Sequence, residues 1–158
     1  MLPDVVTTAR VSLPLWDAAV VAALRSGERL PRWHAGFPRE DDLDAAGLWH
    51  DGDPWGPRSV VVGGWVVGSV GFFGAPEPAA DGVAEVEVGY GIVPEGRGRG
   101  IVPEAVEALL ELTDAAGVRV RASVAPGNTA GMRVAAKLGF TELRGTEDDR
   151  LVMVRPLR

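Results

Sequence analysis

Gly89–Leu112 reads GYGIVPEGRGRGIVPEAVEALLEL. Its first residues close the run AEVEVGYGIV, in which Glu85, Glu87, Gly89 and Gly91 alternate with Val86, Val88, Tyr90 and Ile92. That two-residue period belongs to a strand with one apolar face. Its last residues set Glu104, Glu107, Glu111 and Asp114 opposite Ile101, Ala105, Val106, Leu109 and Leu112, which predicts an amphipathic helix as far as Ala116, closed by Gly117. Between strand and helix lies EGRGRG. Unpaired backbone N–H groups and the positive end of the helix dipole converge at such a junction, and anions bind there. Gly96, Gly98 and Gly100 permit φ > 0 and let a phosphate approach without a Cβ in the way. Arg97 and Arg99 add charge-assisted donors. Taken alone, the same residues also suit a solvated turn whose arginines offset acidic neighbours.

Upstream, Arg10 to Leu15 read as a short strand and Trp16 to Arg25 as a helix that stops near Gly27. Leu30 to Gly56 is irregular, rich in Trp, His, Pro, Gly and acid, with one candidate helix around Asp41 to Trp49. Ser59 to Val62 and Trp65 to Phe73 are β-branched and aromatic runs split by Gly63-Gly64, which predicts a hairpin. Downstream, Val118 to Val124 reads as a strand, Asn128 to Leu138 as a second amphipathic helix, and Phe140 to Leu143 with Leu151 to Val154 as a last strand pair. The fold class is mixed α/β (α+β), built around one β-loop-α-β unit. A chain of 158 residues suits a single domain over 1–158, and no internal repeat divides it.

Composition narrows the chemistry. Apolar residues at 46% and charged residues at 24% give a globular balance. A net charge of −6 argues against a general nucleic-acid binder, which needs basic stripes, and slightly favours cationic acceptors. Zero cysteines exclude disulfides, thiolate nucleophiles and Cys-type zinc sites. No apolar run is long enough to span a membrane, and MLPDVVTTAR lacks a secretory layout, so a cytoplasmic protein without a membrane partner is expected.

Three phosphate loops compare with EGRGRG. Walker A needs Lys-Ser or Lys-Thr after its last glycine, whereas Ile101-Val102 follow Gly100. The dinucleotide fingerprint needs G-x-G-x-x-G and an acid after the next strand, whereas this loop is G-x-G-x-G and Val124 leads to Ala125-Pro126. Arg97-Gly98-Arg99-Gly100, placed after a strand and opening a helix, resembles the Arg-Gly-x-Gly pyrophosphate loop of the GNAT superfamily of N-acetyltransferases. Gly89 to Leu112 is similar to the acetyl-CoA-binding core of the branch that acetylates ribosomal-protein N-termini. ASVAPGNTAGMRVAAKLGF, Ala122 to Phe140, resembles the next segment of that branch. The resemblance covers Ala84 to Val154, and the N-terminal half agrees in its order of elements. It departs at Val102, where Gly or Ala is usual, at Pro103, where Thr or Ser is common, and at Ala135, where many relatives carry a tyrosine that protonates the leaving thiolate.

The resemblance implies a single-domain GNAT fold, a mixed central sheet with splayed central strands flanked by helices. It assigns Ile92 and Val93 to the pantetheine arm of acetyl-CoA, Arg97, Gly98, Arg99, Gly100, Ile101 and Val102 to the pyrophosphate, Asn128 to the pantetheine and Arg133 to a further cofactor contact. Asn128 reads equally as a helix N-cap after Pro126-Gly127, and Arg133 as a solvated helix residue. A backbone N–H near Val93 is expected to polarise the thioester carbonyl. Glu87, with Glu85 as second choice, is the candidate acceptor of the amine proton, although both also read as exposed strand acids. Ser123 is the fallback proton donor, and Tyr90 reads as core. Trp33, His34, Phe37, Trp49 and Trp55 are candidate walls of the acceptor pocket, with Trp16 and Trp65 in the core. His34 and His50 lack ligand-spaced partners, so no metal is expected.

The expected reaction moves acetyl from acetyl-CoA, as co-substrate, to a primary amine by direct attack on the thioester, a protein N-terminus being one acceptor. A small-molecule amine such as an antibiotic or polyamine, and a non-catalytic CoA-binding module, stay open. Homodimers are frequent among look-alikes.

Overall fold

The structure, a computed structural model, describes residues 2–158. The chain begins with an antiparallel pair, β1 (Val5–Thr7) and β2 (Val11–Pro14). Helix α1 (Ala18–Ser26) starts where the Asp17 side chain accepts the Val20 N–H at 2.9 Å, and stops at Gly27, whose φ of 79° a side chain would disfavour. Helix α2 (Glu40–Ala46) follows the irregular stretch, with Arg39 at its N-cap. Strands β3 (Arg58–Val62) and β4 (Trp65–Phe72) form the expected hairpin across Gly63-Gly64. A two-residue strand β5 (Glu77–Pro78) precedes β6 (Ala84–Ile92), a 3-10 turn (Pro94–Gly96), α3 (Ile101–Ala115) and β7 (Arg119–Val124). Helix α4 (Thr129–Lys137) and the hairpin β8 (Glu142–Glu147) with β9 (Arg150–Arg155) complete the chain.

One sheet gathers these strands in the order β1-β2-β3-β4-β6-β7-β9-β8, with β5 added to β6. Every pair is antiparallel except β6 with β7, which the α3 crossover forces to run parallel. Helix α3 seals the sheet with Ile101, Ala105, Val106, Leu109 and Leu110, all buried at 0–6% exposure. Each leucine of that stripe contributes about 2 kcal/mol through area removed from water. Arg58 is fully buried and ties the N-terminal segment to the sheet, donating to the carbonyls of Pro3 at 2.7 Å and Leu13 at 3.1 Å.

The sequence misses β1 and β5, whose three and two residues are too short to show a period. It also cuts the last hairpin short. Asp148 and Asp149, at φ 49° and 61°, make the left-handed two-residue turn that lets both strands run to Glu147 and Arg150. Trp16 is buried as expected, but Trp65 is 46% exposed. It opens β4 directly after the turn, where its ring carries the Arg32 guanidinium 5.4 Å from its centroid instead of entering the core.

Candidate active site

The β4–β6 ladder decides which way the backbone of β6 points. Phe73 donates its N–H to Glu87 O at 2.9 Å, and Val93 donates to Val67 O at 2.8 Å. By the period of two, Glu87, Gly89, Gly91 and Val93 turn their polar groups toward β4, while Tyr90 and Ile92 turn theirs toward β7. Yet β7 pairs with β6 only at Glu85↔Arg119, Val86↔Val120 and Glu87↔Arg121. Beyond that rung it leaves with β9, through Ala122↔Met153, Ser123↔Val152 and Val124↔Leu151. The strands therefore fork after Glu87 and Arg121, and the N–H and C=O groups of Tyr90 and Ile92 face the gap. An extended chain entering it finds a ladder edge to pair with. Ile92 turns its backbone groups to the gap, as a contact with an entering chain requires. Val93 does not: its N–H is spent on Val67 and points away from the gap, so it cannot be the carbonyl-polarising donor.

The glycine-arginine loop begins at the outer end of the fork. Gly96 donates to Val93 O at 2.9 Å and Arg97 to Pro94 O at 3.2 Å, and the chain then swings through Gly98 (φ 79°) and Gly100 (φ 75°) into α3. Gly100 caps α3 without any side-chain hydrogen bond, which leaves the first N–H groups of the helix uncapped. Arg97, Gly98, Arg99 and Gly100 are exposed, Ile101 is buried beneath them and Val102 is half-buried. From behind, Arg10 donates to Arg99 O at 2.9 Å and pairs with Glu104 at 2.8 Å, and Thr8 donates to Glu104 at 2.5 Å. The Thr8 hydroxyl and then Arg10 hold the Glu104 carboxyl below its usual range. Pro103 has no N–H to offer, and Glu104 N–H goes to Gly100 O at 3.1 Å. A loop tied from behind, with N–H groups from Gly98 to Val102 that have no backbone acceptor and two exposed guanidinium groups, fits a pyrophosphate.

A cleft of about 640 Å³ opens at the fork. On one side it is lined by Glu87, Val88, Gly89 and Tyr90 of β6, by Ala122, Ser123 and Val124 of β7, and by Asn128 and Gly131. Asn128 caps α4, its side-chain oxygen accepting the Gly131 N–H at 2.9 Å, and keeps its amide nitrogen for the cleft. Arg133 is exposed and outside the lining. Arg150 reaches in from β9 and donates to Ser123 O at 3.1 Å. Tyr90, expected in the core, lines the cleft half-buried, and burial pushes its phenol up.

The two strand acids part company. Glu85, 4% exposed, receives Arg144 at 2.6 Å through both oxygens, Arg119 at 2.7 Å and Arg121 at 3.0 Å. The Arg144 hydrogen bonds, against the cost of burial and aided by Arg119 and Arg121, hold its carboxyl down to about 2. It is a structural anion without lone pairs to spare and is corrected out of the candidate bases. Glu87 faces the cleft with its side chain 19% exposed, meets Arg121 through one oxygen at 3.2 Å and leaves the other free among the described residues.

On the acceptor side the sequence reading is corrected more heavily. Trp33 and Phe37 are buried and meet edge to face, 5.0 Å between centroids. Trp49 spends its ring N–H on Trp16 O at 2.9 Å, and Trp55 packs on Phe72. His34 donates its N–H to Val66 O and lines a separate hollow of about 270 Å³ with Trp65, Val93, Glu95 and Arg99. None of the five lines the large cleft. Its outer wall is made instead by Arg39, Asp41, Asp44, Ala45, Leu48, Ser69 and Phe73. Only the candidate helix around Asp41 hinted at them, since a charged turn in an irregular stretch carries no period. Among the described residues no group of three or more His, Cys, Asp or Glu could hold a metal, and no helix is long and apolar enough to cross a membrane.

A parallel strand pair forked at its midpoint, with an uncapped, glycine-rich helix start at its outer end, offers an extended ligand a strand edge and an anion a helix N-terminus. The model of the acetyltransferase (GNAT) domain matches residues 11–141, and the chain belongs to that family of transferases. Among solved structures, a Bordetella pertussis protein assigned to GNAT acetyltransferases is 25% identical, covering 98% of this chain and 100% of its own, with a TM-score of 0.67. An acetyltransferase from Agrobacterium tumefaciens is 22% identical over 99% and 95%, TM-score 0.69. The ribosomal-protein-S5-alanine acetyltransferase from Vibrio fischeri is 16% identical over 97% and 96%, TM-score 0.62, a likeness of fold. No curated protein matches.

Proposed function

We propose that residues 1–158 form one cytoplasmic acetyltransferase domain that passes acetyl from acetyl-CoA directly to a primary amine, with a protein N-terminus as the acceptor that the motif resemblance favours. GNAT acetyltransferases use acetyl-CoA, whose thioester supplies an activated acyl group on a good leaving group. The observation that carries the reading is the fork: β7 leaves β6 after Glu87 and Arg121, the loop follows the freed end of β6, and Glu87 and Tyr90 line one cleft at the opening.

In this reading the loop N–H groups, Arg97 and Arg99 hold the pyrophosphate, and the edge at Tyr90 and Ile92 orients the pantetheine. One of those two N–H groups, in place of Val93, polarises the carbonyl. Glu87 takes the amine proton, directly or through a water, which frees the nitrogen lone pair for attack. Ser123 lies one repeat past the last rung on the face of Glu87, and its hydroxyl, like that of Tyr90, has no protein partner among the described residues. Either can return a proton to the departing thiolate. Thiol release should follow addition of N-terminal peptides and yield an equal amount of N-acetylated peptide. Release without an acetylated amine, or none with any amine while acetyl-CoA binds, contradicts the reading.

A further inference from the structure

The outer wall of the cleft carries two apolar side chains that the packing of the chain leaves uncovered. Among the described residues, the exposed large apolar side chains that line the cleft are Phe73, at 49%, and Leu48, at 40%. The ladder fixes where Phe73 stands. One rung past Phe72↔Val88, it lies opposite Glu87 and donates its N–H to Glu87 O at 2.9 Å. Residues opposed in this way turn their side chains to one face of the sheet, with Cβ atoms about 5 Å apart. The ring leans along that face over Gly89, where a Cβ would meet Cζ at 2.5 Å and Cε2 at 3.2 Å, so only glycine leaves it this seat. Leu48 follows the end of α2 and donates its N–H to Ala45 O at 3.0 Å, and the two residues line the cleft one turn apart. Backbone pairing thus holds an aromatic ring beside the candidate base, with half of its surface left in water.

We propose that Phe73 is a specificity-determining residue, which together with Leu48 takes the apolar side chain of the acceptor's first residue, so that the cleft selects peptide N-termini beginning with a residue such as Leu. This deepens the acetyltransferase reading and rests on it for the amine end. A nitrogen delivered to Glu87 has the ring of Phe73 as its neighbour on the same face. What comes to rest on the ring is therefore a group borne by the carbon next to that nitrogen. Of the two branches there, the peptide branch is polar and loses hydrogen bonds against a ring, whereas an apolar side chain gains by leaving water. A first residue without an apolar side chain leaves Phe73 and Leu48 wet.

The test compares the peptide amides Leu-Gly-Gly-Gly and Asn-Gly-Gly-Gly as acceptors, since Asn has nearly the branched shape of Leu without its apolar surface. Removing apolar area from water on both partners predicts that the unmodified protein prefers the Leu peptide about tenfold in kcat/KM, mainly through KM. Phe73→Ala should bring the ratio down to about twofold or less, Leu48→Ala should lower it by a smaller factor, and Phe73→Leu should keep most of it. Both peptides are read in the same protein, so a general loss of activity cancels from the ratio. Equal use of the two peptides by the unmodified protein overturns the proposal, as does a Leu preference that survives intact in Phe73→Ala. If neither peptide is acetylated, the reading of a peptide N-terminus as acceptor falls, and calorimetry of the two N-acetylated peptides with the CoA-loaded protein still decides this one. Tighter binding of the acetyl-Leu form that Phe73→Ala abolishes supports it, and equal binding or none overturns it.

Discussion

Replacing Glu85 with Gln keeps the shape of the side chain and removes its charge from the cluster of Arg119, Arg121 and Arg144 beneath the fork. The folded protein holds this carboxyl at about 2, against an ordinary 4.5. At about 1.4 kcal/mol per pH unit, that difference amounts to about 3 kcal/mol of stability linked to its ionisation. The folded value lies below the unfolded one, so the contribution is complete above the unfolded value of 4.5 and fades as pH falls toward 2. Breaking one partner out of a buried ionic cluster costs about 3–5 kcal/mol, so Glu85→Gln at pH 7 should lower the melting temperature by roughly 6–20 °C for a chain of this size. Urea unfolding of both proteins at pH 7, 4 and 3 reads the effect as two curves that converge on acidification. A gap below about 1 kcal/mol at pH 7, or one that stays constant from pH 7 to pH 3, refutes the assignment of Glu85 to structure.

Glu87→Gln should leave the fold and acetyl-CoA affinity in place and lower kcat by about 10²-fold or more, measured by thiol release with a saturating amine; unchanged kcat would move the base elsewhere. Gly91→Ala puts a methyl group where the Arg39 guanidinium lies. Because that end of Arg39 is the tip of a long side chain, stability should fall by only about 1–2 kcal/mol, read by thermal unfolding; a loss beyond about 4 kcal/mol would show that the guanidinium cannot give way. Asn128→Ala should cost about 1 kcal/mol as a lost cap. A weaker acetyl-CoA affinity in the same variant would mark the amide as a cofactor contact, and unchanged affinity would confine it to the cap.

The centre of the chain was legible because its signals are local. Alternation over Ala84–Ile92, helical spacing over Ile101–Ala115 and the glycines between them each depend on near neighbours, and the observed boundaries follow them closely. The fork itself lay beyond period and composition, since it depends on where β7 exchanges β6 for β9. The same limit explains Glu85 and Glu87. They share one face of one strand, and only the cross-strand arrival of Arg119 and Arg121 and the long reach of Arg144 separate a structural anion from a cleft carboxylate. Aromatic residues misled for a related reason. Trp33, Phe37 and Trp49 stand in an irregular stretch that resembles a binding loop, but their area is spent covering the sheet. Arg39 and Asp42 carried no local sign of their partnership with Ser69 and Gly91, which lie far along the chain.

The measurement that bears most directly on this account is calorimetric titration of acetyl-CoA into the protein and into its Arg97→Ala and Gly98→Val variants. The account predicts micromolar binding by the unmodified protein, weaker binding without Arg97, and loss of binding with Gly98→Val, because a β-branched residue is strained at the φ of 79° through which the loop passes into α3. No binding by the unmodified protein, or equal binding by all three, would contradict the loop as the pyrophosphate cradle.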